Sequence, residues 1–161
     1  MIHEDKFSEE EIKELTYIKE YYRLGTILLD YLIAYIGYES NFNPEAEHKL
    51  YRTFRKIKGY FFMTVPTAKR YGMCCNTLTS MSGLEQIKFL FRYLKPYEGK
   101  ILTPEQLIGI LIDPRYTNPD MKTNVFNSKL QCRYPDAKGT ILFKQVWEEV
   151  NKIYRSGLDG K

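Results

Sequence analysis

Glu39 stands next to the end of the run TILLDYLIAYIGYES, residues 26–40, which is apolar almost all the way round a helix. A helix of that kind is buried on most sides, and the pattern ends it near Gly37. Asn43-Pro44 then forces an irregular turn. Glu39 is therefore expected where a buried helix emerges from the core. A carboxyl in that position loses water on one side, which favours its protonated form and suits it to moving a proton. Asp113 and Glu45 are the nearby candidates for a second carboxylate.

Other chemistries find little raw material. His3 and His48 are the only histidines, which leaves almost nothing for a His-based metal site or a Ser-His-Asp triad. Cys74, Cys75 and Cys132 form no CxxC pair, and the adjacent Cys74 and Cys75 are poor disulfide partners for each other. No glycine-rich phosphate loop is present. Neither a metal nor a cofactor is expected.

The elements that must position Glu39 are mostly helices. Ser8 followed by Glu9, Glu10 and Glu11 reads as an N-cap and capping box opening a helix to about Arg23, closed by Gly25. Ile12, Leu15, Ile18 and Tyr22 share one face of it. Residues 47–58 (EHKLYRTFRKIK) are basic and amphipathic, with Leu50, Phe54 and Ile57 on one side. Gly59–Val65 has the aromatic and β-branched content of a strand, interrupted at Pro66. Leu84–Tyr97 reads as a helix with Ile87, Leu90, Phe91 and Leu94 as its stripe. Thr103-Pro104-Glu105 opens another, stopped at Asp113-Pro114. Arg115–Thr140 is turn-rich and polar. A last helix covers Ile141–Tyr154, with Phe143, Val146, Trp147 and Val150. The fold class is mainly α: a central buried helix ending at the Glu39 carboxyl, with one short irregular β element.

Composition agrees with one packed domain over residues 1–161, made of an N-terminal helix (1–25), a core (26–113) and a C-terminal turn-rich segment and helix (114–161). Of the 161 residues 43% are hydrophobic and 27% charged, enough for a core and too apolar for disorder. Lys and Arg exceed Asp and Glu by 24 − 20 = 4, a mild excess that permits an anionic polymer as partner but is no nucleic-acid signature. Tyr is abundant, 14 against a single Trp, and its flat apolar face with a hydroxyl suits a sugar groove as well as a core. No apolar run approaches the roughly 20 residues of a membrane span. The first 25 residues are polar and charged, so synthesis in the cytoplasm without a signal peptide is expected.

The string Glu39-Ser40-Asn41-Phe42-Asn43-Pro44-Glu45-Ala46 resembles the catalytic motif of the soluble lytic transglycosylase and goose-type lysozyme superfamily. Gly59-Tyr60-Phe61-Phe62-Met63-Thr64-Val65-Pro66-Thr67-Ala68 is similar to that family's second motif. Leu84-Glu85-Gln86-Ile87, leading to Tyr93-Leu94, is similar to its later helix. The resemblance covers residues 26–113. It departs at Phe62, where the family has Gln, at Val65 in place of Pro, and in a longer interval between Glu39 and Gly59. The family's aromatic segment after the 104–112 helix is here Leu111-Ile112-Asp113-Pro114-Arg115-Tyr116.

The resemblance implies a lysozyme-like fold and cleavage of the β-1,4 bond between N-acetylmuramic acid and N-acetylglucosamine in peptidoglycan. Glu39 would be the general acid/base, with Ser40, Tyr60, Phe61, Phe62, Met63 and Tyr116 binding substrate. In lytic transglycosylation the muramyl 6-hydroxyl attacks, so one carboxyl suffices. An active Asp113 or Glu45 would instead favour a hydrolytic muramidase. The resemblance also implies a phage or prophage lysin, free or virion-associated, acting at the bacterial cell wall. The departures motivate a third expectation, a wall-binding or virion structural protein that kept the fold without the activity.

Overall fold

The computed structural model describes residues 1–49, 56–61, 70–71, 80–126, 130 and 133–160. Helix α1 is Glu9–Tyr21 and α2 is Thr26–Ser40. Strands β1 (Glu47–Lys49) and β2 (Lys56–Lys58) follow, then α3 (Gly83–Leu94), α4 (Pro104–Ile112) and α5 (Phe143–Asp159). The described residues are thus mainly helical, with almost no strand. None of these helices is long and apolar enough to cross a membrane.

Helix α2 organises the rest because it has no polar face to give to water. From Leu29 to Ser40 every residue but Tyr31 is buried, and α1, α4 and α5 pack around it. Burial of a Leu or Ile side chain stabilises by roughly 1.5–3 kcal/mol, so Leu32, Ile33 and Ile36 alone secure the helix firmly. Helix α5 closes the other side with Phe143, Val146 and Val150 inward. Tyr31 locks the pair: its ring stacks on Trp147 (5.2 Å) and Tyr154 (4.2 Å), and its hydroxyl donates to Asn151 Oδ1 at 2.7 Å. Helix α1 packs mainly on α3, and Leu15 and Ile18 of the one and Ile87, Leu90 and Leu94 of the other are buried.

Local chemistry sets the helix ends. Ser8 and Glu11 form a reciprocal capping box on α1, Ser82 and Glu85 on α3, and Thr103 and Gln106 on α4. Each satisfies amide donors that a helix start leaves without partners. The expected stop at Gly25 is displaced. Helix α1 ends at Tyr21, Arg23 takes a left-handed φ of 52°, and Gly25 is the extended N-cap of α2. Helix α2 also continues past Gly37 to Ser40, because Asn41 is the residue that adopts the left-handed terminating conformation (φ 51°).

The β element lies upstream of where composition placed it. The two ends of the basic 47–58 segment pair antiparallel, Glu47 with Lys58, His48 with Ile57 and Lys49 with Lys56. Gly59–Phe61 form a bend instead of a strand, since Gly59 sits at φ +130°, open only to glycine. The remainder of the expected strand, 62–65, lies outside the described residues. Farther on, an isolated antiparallel bridge joins Asn124 to Leu142, and the Val125 amide donates to the Ile141 carbonyl at 2.8 Å. This ties the turn-rich segment to the start of α5.

Candidate active site

Glu39 occupies the last turn of α2 and is only 3% exposed. A carboxyl so nearly dry requires polar partners, because an unpaired buried charge costs several kcal/mol. Tyr35 lies one turn earlier on the same face, and its hydroxyl donates to Glu39 Oε1. Burial first, then the neighbouring Glu39 carboxyl, holds the Tyr35 hydroxyl protonated well above the ordinary tyrosine range. It is a hydrogen-bond donor at every physiological pH. The Tyr38 hydroxyl is held up likewise by burial and by Glu39, with Arg133 opposing.

Arg133 arrives from the turn-rich segment. It donates through Nη2 to the Tyr38 carbonyl, one of the acceptors that the end of a helix leaves over. The guanidinium lies 4.0 Å over the Tyr38 ring, and its Nη1 stands 3.9 Å from Glu39 Oε2. Tyr38 and Tyr134 place their hydroxyls 3.3 Å apart. Between these groups opens a cleft of about 530 Å³, within the usual size range of small-molecule sites. Its walls are Gly37–Asn41 and Ala46 on one side, Arg133 and Tyr134 on another, and Glu149 and Ile153 from α5.

The turn after Glu39 leads the chain away from the helix end. Asn41 and Phe42 both have left-handed φ values, 51° and 60°. Asn tolerates that conformation; an aromatic residue there is strained by about 1–3 kcal/mol. Packing holds it, with the Phe42 ring against His3 (4.9 Å) and edge-on to Phe7 (5.9 Å). The ring also fills the space above Gly37, where a Cβ would meet Phe42 Cζ at 2.5 Å. Asn43 then turns the chain, accepting from the Glu45 amide at 2.9 Å.

The 59–60 segment meets this turn. The Gly59 amide donates to the Ala46 carbonyl at 3.0 Å. Gln86 of α3 accepts from the Tyr60 amide at 2.6 Å and donates to the carbonyls of Pro44 and Met81, both at 3.1 Å. A side chain at Gly59 would strike Gln86 Oε1, so this approach needs glycine.

The residues expected at the site separate into three sets. Glu39 and Ser40 line the cleft, although the Ser40 hydroxyl is spent within α2, donating to the Ile36 carbonyl at 2.8 Å. Tyr60, Phe61, Tyr116, Asp113 and Glu45 are not brought to it. Tyr60 is 2% exposed and turned inward, its hydroxyl donating to Glu11 Oε1 at 3.0 Å. Phe61 is half-buried against the core. Tyr116 lies under the Arg115 guanidinium, with its carbonyl against Gly109. Asp113 is held in a fork by Arg115, Nε–Oδ1 2.9 Å and Nη2–Oδ2 3.1 Å. Glu45 is exposed on the turn. Phe62 and Met63 lie outside the described residues.

Sequence reasoning missed Tyr35, Arg133, Tyr134 and Glu149. Tyr35 carried a usable signal, its four-residue spacing from Glu39. The other three come from segments that only tertiary packing brings near. Against family models, curated proteins and solved structures, the chain finds no match.

Proposed function

We propose that the chain is a lysozyme-like glycosidase of peptidoglycan, cleaving the β-1,4 bond between N-acetylmuramic acid and N-acetylglucosamine by lytic transglycosylation. The observation that carries this reading is the Glu39 carboxyl, nearly dry at the end of a buried helix yet in the wall of a 530 Å³ cleft. The contact of Gly59 with Ala46 supports it too, since it joins the two segments on which the family resemblance rests. Glu39 protonates the glycosidic oxygen as its bond to the anomeric carbon breaks. The resulting carboxylate then takes the proton of the muramyl 6-hydroxyl while that oxygen attacks the same carbon and closes a 1,6-anhydro ring. Because the nucleophile belongs to the substrate, its effective concentration replaces a second carboxylate, an advantage of up to about 7–11 kcal/mol in ideal geometry. Tyr35 fixes the carboxyl throughout. Such an activity would suit a wall-degrading lysin of phage type.

A hydrolytic muramidase is the second reading, favoured by Glu149. This residue lines the same cleft, with its side chain 47% exposed and ion-paired to Lys152 at 2.7 Å. A solvated carboxylate across from a buried one is the pairing in which water is activated by the first and the leaving group protonated by the second.

Purified walls embedded in a gel, followed by mass spectrometry of the soluble products, test both readings. Wild type is expected to clear the gel and release 1,6-anhydro ends, and Glu39→Gln to clear none. Reducing ends lost in Glu149→Gln would move the assignment to hydrolysis. Absence of clearing by wild type would remove both.

A further inference from the structure

We propose that Arg133 forms a carboxylate subsite beside Glu39, and that the favoured substrate is a glycan strand whose muramyl lactyl groups are free of stem peptide. The inference rests on the proposed function and deepens it by naming the substrate class. The guanidinium is anchored before any ligand arrives, by the Tyr38 carbonyl and the Tyr38 ring. It therefore loses little freedom on binding, the condition under which an Arg contact contributes most to affinity.

Its donors are not used up by those anchors. A guanidinium carries five N–H groups. Here one nitrogen serves the Tyr38 carbonyl, and the approach to Glu39 is 3.9 Å, against about 2.7–2.9 Å for a charge-assisted hydrogen bond. The Arg133 side chain remains 30% exposed in the wall of the cleft. The other anion there, Glu149, already has Lys152 at 2.7 Å and makes no demand on Arg133. A planar fork of donors facing a cleft matches a carboxylate in two-point contact.

Chemistry then selects among glycans. Chitin-type strands are neutral. In peptidoglycan the acid group closest to the scissile bond is the lactyl ether on C3 of the muramyl ring, the ring whose anomeric carbon carries the oxygen that Glu39 protonates. That group is an amide wherever a stem peptide is attached and a carboxylate where the peptide has been removed. An amidase-type reaction, which frees the lactyl carboxylate, would accordingly supply this substrate.

Binding without turnover tests the proposal separately from the activity. In the Glu39→Gln background, calorimetric titration compares stem-free glycan strands, peptide-bearing strands and chitohexaose. Stem-free strands should bind about tenfold more tightly than either of the others, the scale of one charge-assisted contact. Adding Arg133→Gln should bring the three ligands level, and Arg133→Lys should retain part of the preference. Equal binding of all three ligands before Arg133 is changed overturns the subsite. So does an Arg133→Gln variant that weakens all three equally while Arg133→Lys does the same. If the subsite survives but wild type opens no glycosidic bond, the proposed activity fails and the carboxylate site stands.

Discussion

Tyr35 and Glu39 are one helical turn apart on a helix with almost no solvent-facing side, so the Tyr35 hydroxyl is a short-range constraint on the carboxyl, beside the Arg133 guanidinium at 3.9 Å. Tyr35→Phe keeps the ring and its packing and removes only that donor. Hydrogen bonds to charged groups are worth about 1.5–3 kcal/mol, so kcat should fall roughly tenfold to a hundredfold. The melting temperature should fall as well, since a buried carboxyl is left short of a donor, so kcat is compared well below the unfolding transition, where the variant is folded; an unchanged kcat there would free Tyr35 of the role. The position of Glu39 was legible from the apolar run and the Asn-Pro turn that follows it. Arg133 and Glu149 were not, since nothing in their neighbouring residues marks which side chain a distant helix end will meet.

Single elements were legible where their boundaries are made by local hydrogen bonds. The Ser8 and Thr103 caps and the Asp113 stop follow from side chains bonding nearby backbone, and the Pro104 start from a fixed φ and a missing amide hydrogen. The β element was misplaced because aromatic content mimics a strand, whereas backbone freedom at Gly59 breaks one. Two predictions belong at this scale. Gln86 joins α3 to the turn after Glu39 through the Pro44 carbonyl and also bonds the Tyr60 amide and the Met81 carbonyl, so Gln86→Leu strands an amide and two carbonyls. Each buried unsatisfied group costs about 1–3 kcal/mol, so thermal unfolding should show a loss of about 2 kcal/mol or more. A loss under about 0.5 kcal/mol would mean the three groups have other partners. Asp113 ends α4, and burial alone would raise its pKa. Hydrogen bonds from the Arg115 side chain and amide, with the Arg115 and Arg70 charges, outweigh burial and hold it below the ordinary 3.8. A depressed carboxylate contributes stability that is complete above its unfolded pKa and lost as pH falls through the folded one. Wild type should therefore lose melting temperature more steeply than Asp113→Asn as the pH falls below the ordinary 3.8; parallel curves would assign the acid loss elsewhere.

Taken whole, the molecule carries four more basic than acidic side chains, 24 − 20. Attraction of that size to an anionic wall polymer acts over the Debye length, about 10 Å at 0.1 M salt and about 3 Å at 1 M. Co-sedimentation with purified walls should decline across that range of sodium chloride, and a flat response would leave shape and hydrogen bonding as the whole of the affinity. The cleft is also a product of the entire chain. Tyr31 of the helix bearing Glu39 and Asn151 of the helix facing it are 120 positions apart, and their contact helps to set the opposite wall. A ribosome-bound nascent chain still lacking α5 holds the acid without the wall that Glu149 and Ile153 supply. On the proposed reading such a fragment cannot cut, so the chain stays harmless until its synthesis has carried it past α5.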